Sequence, residues 1–322
     1  PGIGIEPYRK KEIIGKIATR KFSKNDFFFP SDIDSNLAIE PHKYNFNRPW
    51  GIPVRYHDID SLTSKASPDL VEFHLSYNDL ELNANNYLLR DYDMDLVVHA
   101  PELFPNDHIL DLCSNDENYR NLSIKYLQKT IEITRSIKKF FPKGKKNTLI
   151  VLNAGGATLN KPVEENQKEE MYNQVAASLS KIDMDEVEII PQTMPPLPWH
   201  FGGQRFHNLF MNSKDIIKFC NQHRYRVCLD ISHAKLSCNY HDWNLEEYIS
   251  EIGPHSAHLH ISDSHGTDGE GIQIGEGEIE FKSLFKCLDK YCSNTSFIPE
   301  IWQGHKNFGS GFWYALNKLE NL

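Results

Sequence analysis

From Trp50 onward, short apolar runs alternate with longer amphipathic stretches along the chain. Eight runs read as strands, over 51–56, 70–75, 95–99, 148–153, 187–192, 226–230, 256–260 and 296–300. They are near-continuous rather than alternating, the pattern of parallel strands buried on both faces. Between them, helical spacing predicts helices over 117–140, 164–182, 213–223, 245–252, 281–291 and 312–322. Repeated β–α alternation implies a parallel sheet with right-handed crossovers. Eight units between residue 50 and the end of a 322-residue chain fit an α/β, (β/α)8 TIM barrel better than an open sheet.

The stretch VCLDISHAKL, 227–236, carries the first chemical signal. Read as a strand entering its loop, Val227-Cys228-Leu229 delivers Asp230 and then His233 to the strand's C-terminal end. A helix N-cap aspartate beside a satisfied histidine would explain the same residues. Recurrence along the chain favours the first reading. The eight runs finish on or just before His57, His74, His99, Asn153, Gln192, Asp230, His260 and Glu300, and the loops beyond add His233, Asp263 and the 270–278 region. Core packing does not require eight polar endings in phase, whereas a ring of N and O donors at one barrel mouth does. Taken singly, His57 and His74 read better as satisfied or supporting histidines than as ligands.

Residues 1–33 follow a different pattern, with turn signals, short β-branched runs and many basic residues, as in a small β-rich module. PGIGIEP, IIGKIATRKF and a spaced SDI resemble the second half of the antifreeze-like (SAF) domain of bacterial sialic acid synthases. The resemblance implies a partial SAF domain over 1–35, a linker over 36–49 and a barrel over 50–322. It also implies a longer native polypeptide with a synthase domain.

Charge and cysteine content narrow the class. Lys and Arg number 35 against 44 Asp and Glu, a formal charge of −9, which excludes the basic footprint of a nucleic-acid binder. No apolar run approaches the roughly 20 residues of a membrane span. The six cysteines form no C-x-x-C pair, as expected of a soluble, cytoplasmic protein in a reducing compartment.

LVVHAPE, CLDISHAKL, HLHISDSHG, IQIGEGEIEF and FIPEIW occur in the order and spacing of the xylose-isomerase-like barrel superfamily. That superfamily holds sugar isomerases, sugar epimerases and endonuclease IV-type nucleases. The resemblance implies one divalent metal ion (Zn, Mn, Co or Mg) held by Gln192, Asp230, His260 and Glu300. The family has a carboxylate where this chain has Gln192, so the implied donors are two carboxylates, one imidazole and one amide. The three-metal nuclease pattern fits poorly: Asn153 stands where a histidine is expected, and the sequence before the second GEG lacks the third metal's aspartate and histidine.

The sugar enzymes of this superfamily use paired acids to shuttle a proton beside a carbonyl. Glu300 can serve as one. Gln192 cannot be the other, because an amide has no usable proton equilibrium. His233 is the expected partner, with His200 or the more distant Glu270 as substitutes. His99 and Asn153 are expected to hold substrate hydroxyls, with Asp263 and His305 adding polar contacts. Trp199 and Trp302 would stack on a sugar ring or pack the barrel rim. The implied function is a metal-dependent sugar or sugar phosphate isomerase or epimerase in sialic-acid-like or surface polysaccharide biosynthesis, its partner a small-molecule sugar. The alternatives are a sugar-binding barrel that lost turnover, favoured by Gln192, and an endonuclease IV-like hydrolase.

Overall fold

Eight apolar runs form eight parallel strands. They are β1 (Gly51–Val54), β2 (Leu70–His74), β3 (Asp95–His99), β4 (Thr148–Leu152), β5 (Val187–Pro191), β6 (Val227–Asp230), β7 (Ser256–Ile261) and β8 (Ser296–Pro299). The computed structural model describes residues 5, 7–33, 41–200 and 203–322, without the side chains of 30, 31, 199, 200, 203 and 204. The strands form a five-stranded sheet, β1 to β5 in order, and a three-stranded sheet, β6 to β8. Two single parallel bridges close the barrel, Gln192 to Cys228 and Trp50 to Phe297.

Around the strands lie α1 (Ile59–Thr63), α2 (Glu117–Lys138), α3 (Glu165–Leu179), α4 (Ser213–His223), α5 (Ile231–His241), α6 (Leu245–Ile252), α7 (Phe281–Tyr291) and α8 (Lys306–Glu320). Side-chain caps set several starts: Asp116 accepts from the amides of Asn118 and Tyr119 at α2, and Asn212 from Lys214 at α4. Helix α5 was not expected, since 227–236 reads as strand and loop. Between β2 and β3 the described residues hold two 3-10 turns, Asp79–Glu81 and Ala84–Asn86, and no α-helix. The Asn- and Asp-rich sequence there offers the backbone side-chain alternatives to a helix. Helix α8 starts earlier than 312, through a distorted first turn with positive φ at Asn307, Phe308 and Gly309.

The interior is plugged by side chains from both sheets, among them Leu70, Val97, Leu149, Ile190, Cys228 and Ile298. Such a plug makes the barrel a packed core with one functional rim. A second, larger cluster fills the space between strands and helices.

The β-rich expectation for the N-terminus is not met. Among the described residues of 1–33 there are three helical turns and no strand. Arg20 organises the segment, its Nε donating to Asp32 Oδ1 at 2.7 Å and its Nη1 to Asp26 at 3.0 Å. Residues 41–49 pack against the barrel: Arg48 donates to Asp289 at 2.6 Å, and the Phe46 ring meets Phe297 edge-on at 5.1 Å. The six cysteines are unpaired and five are buried. Among the described residues no helix is long and apolar enough to cross a membrane.

Candidate active site at the barrel mouth

Strand alternation sends every second side chain inward. On β2 these are Leu70, Glu72 and His74, and on β7 they include His258 and His260. Interior residues at the strands' C-terminal ends therefore meet above the apolar plug.

His260, fully buried, is the centre. Its Nδ1 lies 2.8 Å from Glu300 Oε2, 3.1 Å from the Gln192 amide nitrogen and 3.7 Å from Asp230 Oδ2. The Gln192 nitrogen also donates to Asp230 Oδ2 at 2.9 Å. His99 joins from β3, its Nε2 at 3.2 Å from Gln192 Oε1. His74 faces Glu300 Oε1 across 4.0 Å. The four side chains expected to share a cation thus converge.

Asp230 unites both readings of its motif. Its Oδ1 accepts from the His233 amide at 2.8 Å and caps α5, while Oδ2 faces the mouth. The β5–β6 seam holds it in place: the Asp230 amide donates to Thr193 Oγ1 at 2.9 Å, and the Thr193 amide to the Cys228 carbonyl at 2.9 Å.

The donor set fits a divalent cation. Ligands about 2.1 Å from such an ion stand about 3 Å apart; His260 Nδ1 is 2.8 Å from Glu300 Oε2 and 3.7 Å from Asp230 Oδ2, and His99, His260 and Glu300 also bring their ligand atoms together. Two carboxylates, one imidazole and one amide oxygen suit Zn, Mn, Co or Mg, with their charges balancing 2+. His99 explains how the amide would serve. Its Nδ1 lies 2.9 Å from the Ala100 carbonyl oxygen, which can only accept, so that nitrogen carries a proton. Gln192 holds its oxygen to that ring's Nε2 and its NH2 to Asp230 and His260, so a flip of the amide would bring its oxygen to a cation beside them.

The electrostatics set Glu300 and His233 apart. Burial works to raise the Glu300 carboxyl, but the charge and hydrogen bonding of His260, with His74 and His99 behind it, bring it below its ordinary value. Burial disfavours the His233 imidazolium, yet Asp230, Glu270 and Glu300 outweigh it and raise the ring to about 10. His233 lies with Nδ1 at 2.9 Å from the Thr193 carbonyl and Nε2 at 3.4 Å from Glu270 Oε2. Burial opposes charge on His260 too, and it is nonetheless raised. The Cys228 thiol beside it, itself pushed up to about 12, is neutral at ordinary pH, so Glu300, Glu72 and Asp230 are the effective anions.

Other expected residues are placed differently. Asp263 is not available to substrate: fully buried, it accepts from the amides of Ser264, Gly275, Gly277 and Ile279 at 2.9–3.0 Å, stapling its own loop. His57 points outward, its side chain 70% exposed. Asn153 is buried, and its Oδ1 accepts from the Gly155 amide at 3.0 Å. Its side chain lines a cavity of about 220 Å³ with Tyr119, Gly156, Arg205 and His207. Gly155 has φ +91°, and a Cβ there would come 2.5 Å from Asp111 Cα, so the close turn requires glycine. Trp302 is exposed on the rim, and its amide donates to the Gly271 carbonyl at 2.9 Å. His305 lies near Asp58, Arg55 and His57 of the first loop, and burial pushes it down. The side chains of Trp199 and His200 lie outside the described residues.

Glu72 was not foreseen. It is fully buried in the barrel interior, with His260 Nε2 at 3.1 Å, His258 Nε2 at 2.9 Å and His74 Nε2 at 2.9 Å. A lone carboxylate at an inward position of the apolar run LVEFHL was the available signal.

This fold and mouth define a class. The chain belongs to the Xylose isomerase-like TIM barrel family, whose model matches residues 62–315. Among solved structures it is similar to a D-tagatose 3-epimerase-like protein, at 21% identity over 85% of this chain and 98% of that one, with a TM-score of 0.59. An L-ribulose 3-epimerase matches at 17% identity over 85% and 95% of the two chains, TM-score 0.55. A 3-keto-D-glucoside 4-epimerase from E. coli matches at 15% identity over 85% and 100%, TM-score 0.57. None of the curated proteins matches the sequence.

Proposed function

We propose that the chain is a divalent-cation-dependent isomerase or epimerase acting on a sugar or sugar phosphate. The observation that carries this reading is the convergence of Gln192, Asp230, His260 and Glu300 at the barrel mouth, where His260 Nδ1 lies 2.8 Å from Glu300, 3.7 Å from Asp230 and 3.1 Å from the Gln192 amide nitrogen. A bound cation would polarise a hydroxyl–carbonyl pair of the sugar. Glu300, ionised at neutral pH, takes the proton from the carbon beside the carbonyl. His233, charged at neutral pH, is the acid that returns one. His99 and Asn153 orient hydroxyl groups, and Trp302 covers the ring from the rim. Solved epimerases of similar fold support this assignment by their names.

The domain division at 35 and 49, a cytoplasmic setting and a place in sialic-acid-like or surface polysaccharide biosynthesis are parts of the proposal that rest on the N-terminal SAF resemblance and on composition. The test incubates the protein in D2O with Mn2+, Co2+, Mg2+ or Zn2+ and a panel of ketopentoses, ketohexoses and their phosphates. Solvent deuterium is expected beside the carbonyl of one substrate, and a chelator should stop its entry. A second reading, a sugar-binding barrel without turnover, draws on the amide at Gln192 in place of a titratable group. Tight sugar binding with no deuterium exchange would establish that reading instead.

A further inference from the structure

Glu72 and the rings around it form a relay that the proposed chemistry does not use. Glu72 belongs to β2 and sits beneath the mouth with no exposed surface. Two imidazoles, one from β2 and one from β7, span the gap between it and Glu300. His260 has Nε2 at 3.1 Å from Glu72 Oε2 and Nδ1 at 2.8 Å from Glu300 Oε2. His74 has Nε2 at 2.9 Å from Glu72 Oε1, close but off the line of a hydrogen bond, and Nδ1 at 4.0 Å from Glu300 Oε1. Their ring centroids lie 6.3 Å apart with planes 30° from parallel. His258 completes the set, with Nε2 at 2.9 Å from Glu72 Oε2 and Nδ1 at 2.8 Å from Ser296 Oγ.

An ionised carboxylate only accepts, so a ring nitrogen resting on it carries a proton. An imidazole protonated at Nε2 keeps its Nδ1 lone pair for whatever lies on the other side. We propose that Glu72 is a positioning residue for the mouth, holding His74 and His260 with protons on Nε2 and with both Nδ1 edges turned toward Glu300. Its negative charge also raises the donor strength of His260, as a carboxylate behind a ligating histidine does in metal sites. The inference about cation affinity rests on the function proposed above; the inference about ring orientation does not. An ion bound inside the barrel is the competing account of this cluster; the aligned His260 Nε2–H to Glu72 hydrogen bond opposes it, while His258 Nε2 and His74 Nε2 make no hydrogen bond, so the tests below include it.

Glu72→Gln keeps the shape and removes the charge. Mn2+ affinity, measured by competition with a chelating dye, is expected to fall about 10–100-fold, and the Co2+ absorption spectrum to change. A folded variant with unchanged affinity and spectrum, and only a lower unfolding midpoint, would overturn the proposal by reducing Glu72 to a structural residue. More than one tightly bound ion per chain, with one lost in His258→Ala, would overturn it in favour of the interior ion. Long-range 15N–1H spectra of the wild-type protein with Mg2+ need no variant: both His74 and His260 are expected to be protonated at Nε2, and a proton on Nδ1 of either contradicts the assignment. If the wild-type protein binds no divalent cation, the proposed function fails. The tautomer of His74 in the cation-free protein then still decides the role of Glu72, Nε2–H upholding it and Nδ1–H overturning it.

Discussion

The two sheets that make the barrel contribute unequally to its mouth. The three-stranded half, β6 to β8, supplies or leads directly into Asp230, His260 and Glu300, which include both carboxylates of the proposed cation site. The five-stranded half supplies His74 and His99 as imidazoles, and its carboxylate, Glu72, is set one layer deeper. Gln192 stands on the seam, where a single bridge to Cys228 joins the halves. The difference teaches that the carboxylates are arranged along one side and below, with imidazoles opposite. A cation held there would pull the two halves together at their thinnest junction.

The largest expected effect comes from removing the base proposed for the mouth. Glu300→Gln should lower turnover of whichever sugar is found by about 10²–10⁴-fold, read by proton NMR of substrate interconversion. Next come the two halves of the plug. Leu149→Ala from the five-stranded half and Ile298→Ala from the three-stranded half should each cost about 2–5 kcal/mol in denaturant unfolding. Single coincident transitions in both would show one cooperative barrel, whereas a biphasic curve in either would split the halves.

Asp263→Ala should destabilise by about 1.5–3 kcal/mol, because buried amides lose a charged acceptor, yet leave KM and Mn2+ affinity unchanged. A raised KM at constant stability would restore Asp263 to the substrate. Gln192→Glu adds an anion at the seam. It should tighten Mn2+ binding on the order of tenfold or more, since a unit charge a few Å away is worth several kcal/mol even at an effective dielectric near 20. Unchanged affinity would place the ion away from the seam.

The last effect is in pH. The folded His233 is raised to about 10 from an unfolded value near 6.5. Its contribution to stability is therefore complete below about 6.5, declines as pH rises, and is gone above about 10. The difference in unfolding free energy between the cation-free wild-type protein and His233→Gln should shrink across that window. A difference that grew with pH would contradict a charged His233.

Much of this was legible in the chain because strand interiors and strand ends are local features. All eight runs became strands, and Asp230, His260, Glu300 and Gln192 met as expected, since each ends or follows a parallel strand of one barrel. The misses share a cause. Helix α5 was hidden because its cap is the site's own carboxylate, so one residue carried two signals. Asp263 looked like a mouth residue by position, but its loop folds back and consumes its oxygens. The segment before the barrel carries β-branched runs and turn signals, yet its described residues form helical turns, the last of them tied to Arg20 through Asp32.

The sequence by itself determined the alternation of strands and helices, the parallel barrel and the set of donors near one rim, because period, apolar runs and strand ends need no knowledge of distant partners. Only the tertiary structure decided which donors touch. Glu72 of β2 and His258 and His260 of β7 lie far apart along the chain, and barrel closure alone brings them within 3.1 Å. Burial then makes that contact decisive, since a charge removed from water must be met by whatever side chains the fold delivers to it.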